Sequence, residues 1–115
     1  MKEELIDYED HIVEALQDPE FLQGYLNEIL KEEDLPTFLL ALKYIAKSKR
    51  GGMTEFAKKA GFSRQTLYKT LSAKGNPTFK NLNIFLKTAG FHLKVEADKP
   101  VRKTKQKSKK HLVVA

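Results

Sequence analysis

The sequence predicts an all-α fold, a bundle of about five to six helices followed by one short C-terminal strand. Three observations carry this. Apolar residues recur at spacings of three and four through most of the chain, the period of a helix with one buried stripe. Start and stop residues punctuate the stripes: Asp18-Pro19, Asp34-Leu35-Pro36, Ser63 and Thr78 at starts, Gly51-Gly52, Gly61 and Gly90 at ends. Residues 91–96 instead alternate with the period of two that a strand requires.

Taken in order, residues 1–8 are polar and expected to be loose, with a short helix over 9–17 turning Ile12 and Leu16 inward. Asp18 as N-cap and Pro19 at the first helical position start the next helix, a strong signal. Phe21, Leu22, Tyr25, Leu26, Ile29 and Leu30 then form apolar pairs every four residues, to about Lys31. Glu32, Glu33 and Asp34 close it, three acids where the helix dipole disfavours them. A basic partner would relieve that; a solvated loop is the plainer reading. Leu35-Pro36 opens a third helix with Phe38, Leu39, Leu42, Ile45 and Ala46 on one stripe. Lys47, Lys49 and Arg50 crowd its end, where cations suit the dipole.

Met53 to Leu71 is the stretch around which the chain is organised. A helix over 54–60 places Phe56, Ala57 and Ala60 on one stripe, and Gly61 can take the positive φ that ends it in a tight turn. Phe62 is expected to plug the core and Ser63 to cap the following helix, which Leu67 and Leu71 anchor. The other face of that helix carries Arg64, Gln65, Thr66, Tyr68 and Lys69, with no acid among them. Helix, glycine turn and a basic, amide-bearing helix read as a helix-turn-helix. Arginine can fork onto guanine and glutamine onto adenine, while serine, threonine and lysine suit phosphates. An ordinary helical hairpin with a solvated polar face is the competing reading.

After Leu71 a turn-rich loop leads to Thr78, which caps a last helix expected to bury Phe79, Leu82, Phe85, Leu86 and Ala89. Lys74, Asn76 and Thr78, with nearby backbone N–H groups, form a plausible phosphate clamp, or simply a polar connection. In the strand, Phe91, Leu93 and Val95 alternate with His92, Lys94 and Glu96. It has no evident partner strand. It should pair with a copy of itself or with another protein, and less readily with residues 6–8. Self-pairing through Phe91, Leu93 and Val95 would give a twofold homodimer, suited to reading a palindrome in double-stranded DNA.

Charge divides the chain into an acidic helical extension (1–34), a basic helix-turn-helix domain with its terminal strand (35–96) and a basic tail (97–115), the last expected to be disordered. The first holds 12 acids against 2 lysines, a net of −10; the second 12 bases against 2 acids, +10; the third 7 bases against Asp98, +6. Such segregation suggests two partners of opposite sign, unless the acidic part merely folds onto the basic one. Without cysteine there is no disulfide framework, thiolate metal site or thiol nucleophile. No apolar run reaches membrane-spanning length and the acidic N-terminus is unlike a signal peptide, so a cytoplasmic protein without membrane contact is expected. His11, His92 and His111 are scattered, and no glycine-rich phosphate loop follows a strand. No enzyme activity, cofactor or metal is expected.

Four blocks point further: LQDPEFLQGYLNEILKEED (16–34), FLLALKYIA (38–46), GGMTEFAKKAGFSRQTLYKTLSAKGNPTF (51–79) and FLKTAGFHLKVE (85–96). Through them the chain, from Tyr8 to Glu96, resembles the HigA-like addiction-module antidote (antitoxin) family of DNA-binding prophage proteins. Those proteins are built on a lambda-repressor/Cro-type helix-turn-helix. The segment SRQTLYKTLSAKGNPTF is its most specific part, and the basic tail lies outside it. The resemblance implies a transcriptional repressor of its own operon, binding a palindromic operator as a dimer. It also implies an antitoxin that neutralises a small basic RelE/ParE-like toxin; a stand-alone prophage-type regulator is the alternative. Carried over by position, Arg64, Gln65 and Lys69 would read bases. Ser63, Thr66, Lys74 and Asn76 would hold phosphates, Met53 and Thr54 would begin the helix that crosses the DNA backbone, and Tyr68 would touch the backbone or a thymine methyl. The acidic segment, through Phe21, Tyr25, Glu28, Glu32 and Glu33, is the first candidate for toxin contact, and the 91–96 strand the second.

Overall fold

A computed structural model describes residues 2–99 of the chain. Six helices follow one another: α1 (Lys2–Ala15), α2 (Pro19–Lys31), α3 (Leu35–Ser48), α4 (Gly52–Ala60), α5 (Arg64–Thr70) and α6 (Phe79–Ala89). Helix α3 is the hub. It packs against α1 and α2 on one side and against α4 and α6 on the other, while α4 also packs on α5 and α6. Phe38, Leu39, Ala41, Leu42, Ile45 and Ala46 of α3 are all buried, so the most apolar helix is also the most enclosed.

Four helix starts lie where capping chemistry places them. The Asp18 carboxylate accepts from Glu20 N–H at 3.1 Å, and Asp34 from Thr37 N–H at 3.2 Å and from the Thr37 hydroxyl. Ser63 Oγ accepts from Thr66 N–H and Thr78 Oγ1 from Asn81 N–H, each at 3.0 Å. Each satisfies an N–H that the helix itself leaves unpaired. Helices α4 and α6 end alike, on Gly61 (φ 83°) and Gly90 (φ 97°). The next N–H, of Phe62 or Phe91, returns to the carbonyl of Ala57 or Leu86 at 2.9 and 2.8 Å. That bond pattern needs a left-handed residue, and it turns both phenylalanines back against the core.

The structure departs from expectation in several places. Helix α1 begins at Lys2, so residues 2–8 are helical rather than loose. No proline or glycine interrupts this stretch. This also removes residues 6–8 as a strand partner. The expected C-terminal strand over residues 91–96 is not formed: residues 91–97 belong to no sheet, and no strand occurs among the described residues. Alternation alone does not make a strand, because a ladder needs a second segment alongside. Phe79 is 68% exposed rather than buried, since it lies one turn ahead of the part of α6 that meets the core. Phe21 and Leu30 are exposed too, leaving Leu22 and Leu26 as the buried residues of α2. The basic tail beyond Lys99, with His111, lies outside the described residues.

The acidic extension docks through apolar contacts and a tyrosine cluster. Leu16, Leu22 and Leu26 enter the core, and the Tyr8 and Tyr44 rings meet edge-on at 6.5 Å. Glu9 pairs with Lys47 at 2.7 Å, across α1 and α3. Burial, helped by Tyr8 and Tyr44, pushes the Tyr25 phenol up to about 12, and burial and Glu9 raise Tyr44 as well. Folding therefore favours the neutral Tyr25 phenol. Its contribution is complete below pH 10 and is lost as pH rises from 10 towards 12. Stability measured by urea unfolding should fall in that alkaline window for the wild type and fall less for Tyr25→Phe.

Candidate nucleic-acid interface

The turn between α4 and α5 is short because Gly61 reverses the chain at once and Ser63 restarts it. Ala57, 1% exposed, and Ala60 let the two helices approach, and Leu67 and Leu71 seal the junction from α5. The Phe62 ring, 5.1 Å from that of Phe85, ties the turn to α6. With its apolar side fixed in this way, α5 has one orientation. Arg64, Gln65, Thr66 and Lys69 are exposed, and Tyr68 is half-buried. Ser63 is occupied as a cap, yet its exposed hydroxyl also donates to Thr66 Oγ1 at 2.8 Å.

Of the other residues expected on this surface, Thr54, Lys74, Asn76 and Thr78 are exposed. Met53 is not: its side chain is 5% exposed and belongs to the core, which leaves only its backbone N–H, in the first turn of α4, to face an anion. Sequence reasoning overlooked Lys43. It lies on α3, outside the α4–α5 stretch, yet its ammonium stands over the Tyr68 ring at 5.6 Å, and the Arg64 guanidinium stands over the same ring at 5.3 Å. The available signal was a single cation in the otherwise apolar run FLLALKYIA.

The loop after α5 is held by its own backbone. Gly75 N–H donates to the Ser72 carbonyl at 2.8 Å, and the Ser72 hydroxyl donates to that of Lys69 at 2.8 Å. A Cβ on Gly75 would stand 1.9 Å from the Thr70 carbonyl oxygen, backbone that cannot give way cheaply. Gly75→Ala must therefore displace the loop that carries Lys74 and Asn76. It is expected to cost about 1–3 kcal/mol in urea unfolding, whereas Lys74→Ala beside it should cost almost nothing.

Charge is divided in space as well as in sequence. Ion pairs among the described residues include Glu9–Lys47 and the exposed Glu28–Lys31 pair at 3.2 Å. Asp10, Glu14, Asp18, Glu20, Glu28, Glu32, Glu33 and Asp34 are all exposed. Docking of the extension thus leaves most of its acids facing solvent. Phe21 and Tyr25 stack at 6.1 Å on the N-terminal half of α2, and beyond its C-terminal end Glu33 takes a left-handed φ of 52°. Lys49, capping α3, is held below the usual lysine range by burial. Arg50, Glu55 and Lys59 surround a shallow depression of about 250 Å³. No helix among the described residues is long and apolar enough to cross a membrane, and no group of His, Cys, Asp or Glu is gathered there to hold a metal.

Fold and surfaces define a small helical bundle with a cationic face on α5 and an acidic, aromatic face on α2. A family model described as "Probable addiction module antidote protein" matches residues 7–97. A protein of Haemophilus influenzae, described as uncharacterised, is 40% identical over 96 residues, spanning 84% of this chain and 95% of its own length. No solved structure is significantly similar. The chain belongs to the addiction module antidote family, and membership implies a toxin partner of some kind.

Proposed function

We propose that the protein is a sequence-specific DNA-binding repressor that serves as the cytoplasmic antitoxin of a toxin–antitoxin module, without enzymatic activity. The observation that carries DNA binding is the outward face of α5, where Arg64, Gln65 and Lys69 are exposed on a helix locked by Leu67 and free of acids. In this reading those three side chains read bases in the major groove of a lambda-repressor-type complex. Ser63, Thr66, Tyr68, Lys74, Asn76, Thr78 and the start of α4 at Met53 and Thr54 hold the flanking phosphates. Residues 35–96 form the DNA-binding domain, and the basic tail adds phosphate contacts.

Two further contacts complete the reading. A second copy pairs along residues 91–96, where Leu93 is 39% and Val95 96% exposed, which sets two α5 helices on a palindromic operator. A small basic toxin of RelE/ParE type sits on the acidic extension, against Phe21, Tyr25, Glu28, Glu32 and Glu33. The exposed acids and the stacked aromatic pair suit a partner rich in arginine and lysine. Co-expression with the neighbouring reading frame is the test. The expected result is a stable complex with a small basic protein, weakened by Glu28→Lys, Glu32→Lys. Recovery of this chain alone, with promoter binding intact, would leave a stand-alone regulator.

A further inference from the structure

Tyr68 is the point at which two separate elements bring cations to the same ring. Arg64 and Tyr68 are four apart on α5 and so share one side of that helix. Lys43 arrives from α3. Their charged groups lie 5.3 and 5.6 Å from the ring centroid, within the range at which the negative face of an aromatic ring attracts a cation. Neither cation belongs to either ion pair found among the described residues. Two like charges are thus gathered by one ring without a carboxylate to neutralise them, an arrangement that a phosphate backbone would relieve.

We propose that Tyr68 is a positioning residue for DNA reading: its ring pre-sets the Arg64 guanidinium for a base edge and recruits Lys43, from outside the helix–turn–helix pair, to a neighbouring phosphate. This rests on the reading of α5 as the DNA-contacting helix. An exposed arginine is free to sample many rotamers, and a base contact must order it. Tyr68 is anchored by packing against the core and cannot wander, so a guanidinium stacked on it starts close to one orientation. The phenol hydroxyl is not needed for this; the ring is. Lys43 acts differently, as a point charge without base preference.

The test uses the full chain with the DNA upstream of its own coding sequence and a scrambled duplex of equal length, titrated at several salt concentrations. Tyr68→Phe keeps the ring, so loss of the hydroxyl's phosphate contact should weaken both duplexes alike and hold the promoter-to-scrambled affinity ratio within about twofold, while Tyr68→Leu should lower that ratio about three- to fivefold. Lys43→Gln should weaken both duplexes equally and reduce the slope of log affinity against log salt by about one. Lys43 is half-exposed, so this variant reads the lysine's part of the proposal even if Tyr68→Leu folds poorly. An unchanged ratio in Tyr68→Leu, or a loss in Tyr68→Phe as large as in Tyr68→Leu, would overturn the positioning role. An unchanged slope in Lys43→Gln would remove the lysine from it. Absence of any promoter preference in the wild type would instead sink the DNA-binding reading, and the proposal with it.

Discussion

Replacing Arg64 and Gln65 together by alanine is expected to remove most of the preference for promoter over scrambled DNA while leaving the fold intact. Both side chains are exposed, and neither caps a helix or enters the core, so stability should change by no more than about 0.5 kcal/mol. Their bidentate chemistry is another matter. A good fork onto a base edge discriminates by about 1–3 kcal/mol, so the pair is worth roughly 2–6 kcal/mol if both reach bases. Affinity for scrambled DNA should fall far less, because the phosphate contacts proposed for Lys74 and Lys43 remain. Fluorescence anisotropy with the two duplexes separates these effects. A double variant that keeps its preference would place base reading elsewhere.

The second large effect is structural. Phe85 is fully buried, and its ring meets Phe62 in the turn that aims α5. Phe85→Ala removes the largest of the fully buried side chains and leaves a cavity between α6 and that turn, at a cost of about 3–5 kcal/mol. For a domain whose whole stability is of order 5–15 kcal/mol, that is a large share. The unfolding midpoint should drop by about 15–30 °C, and promoter binding should weaken through loss of folded protein. Phe85→Leu, which refills most of the volume, should recover much of both. Calorimetry on the three proteins checks the order.

Much of this architecture is legible in the sequence because local chemistry fixes it. Asp18, Asp34, Ser63 and Thr78 each cap the helix that follows, and Gly61 and Gly90 stop the helices before them; such signals act within a few residues and need no knowledge of the fold. The stripe of α3 was equally plain, being enclosed from two sides. What escaped depends on distant neighbours. The alternation of residues 91–96 is a genuine pattern without a second segment to pair with among the described residues. Phe79 continues the stripe of α6 beyond the point where the core lies beneath it. Lys43 joins the cationic face only because the fold brings it from α3 to the Tyr68 ring, which no local spacing reveals. Met53 is the converse: it sits at the right position in the chain but its side chain turns inward.

The acidic extension illustrates why charge counts alone leave function open. A net of −10 next to a net of +10 is equally compatible with mutual neutralisation and with two partners. Docking through Leu16, Leu22 and Leu26, with Glu9 on Lys47 as the cross-link between α1 and α3, leaves the other acids from Asp10 to Asp34 facing solvent. The cationic face of α5 is therefore available to a polyanion, and the acidic face to a basic protein.

Titration of the wild-type protein against its own promoter and a scrambled duplex, at two salt concentrations, tests the central claim most directly. The expected result is tighter binding to the promoter by about a thousandfold or more, with both affinities falling steeply as salt rises. Equal affinity for the two duplexes, or no binding to either at low salt, would contradict the assignment of α5 as a DNA-reading helix.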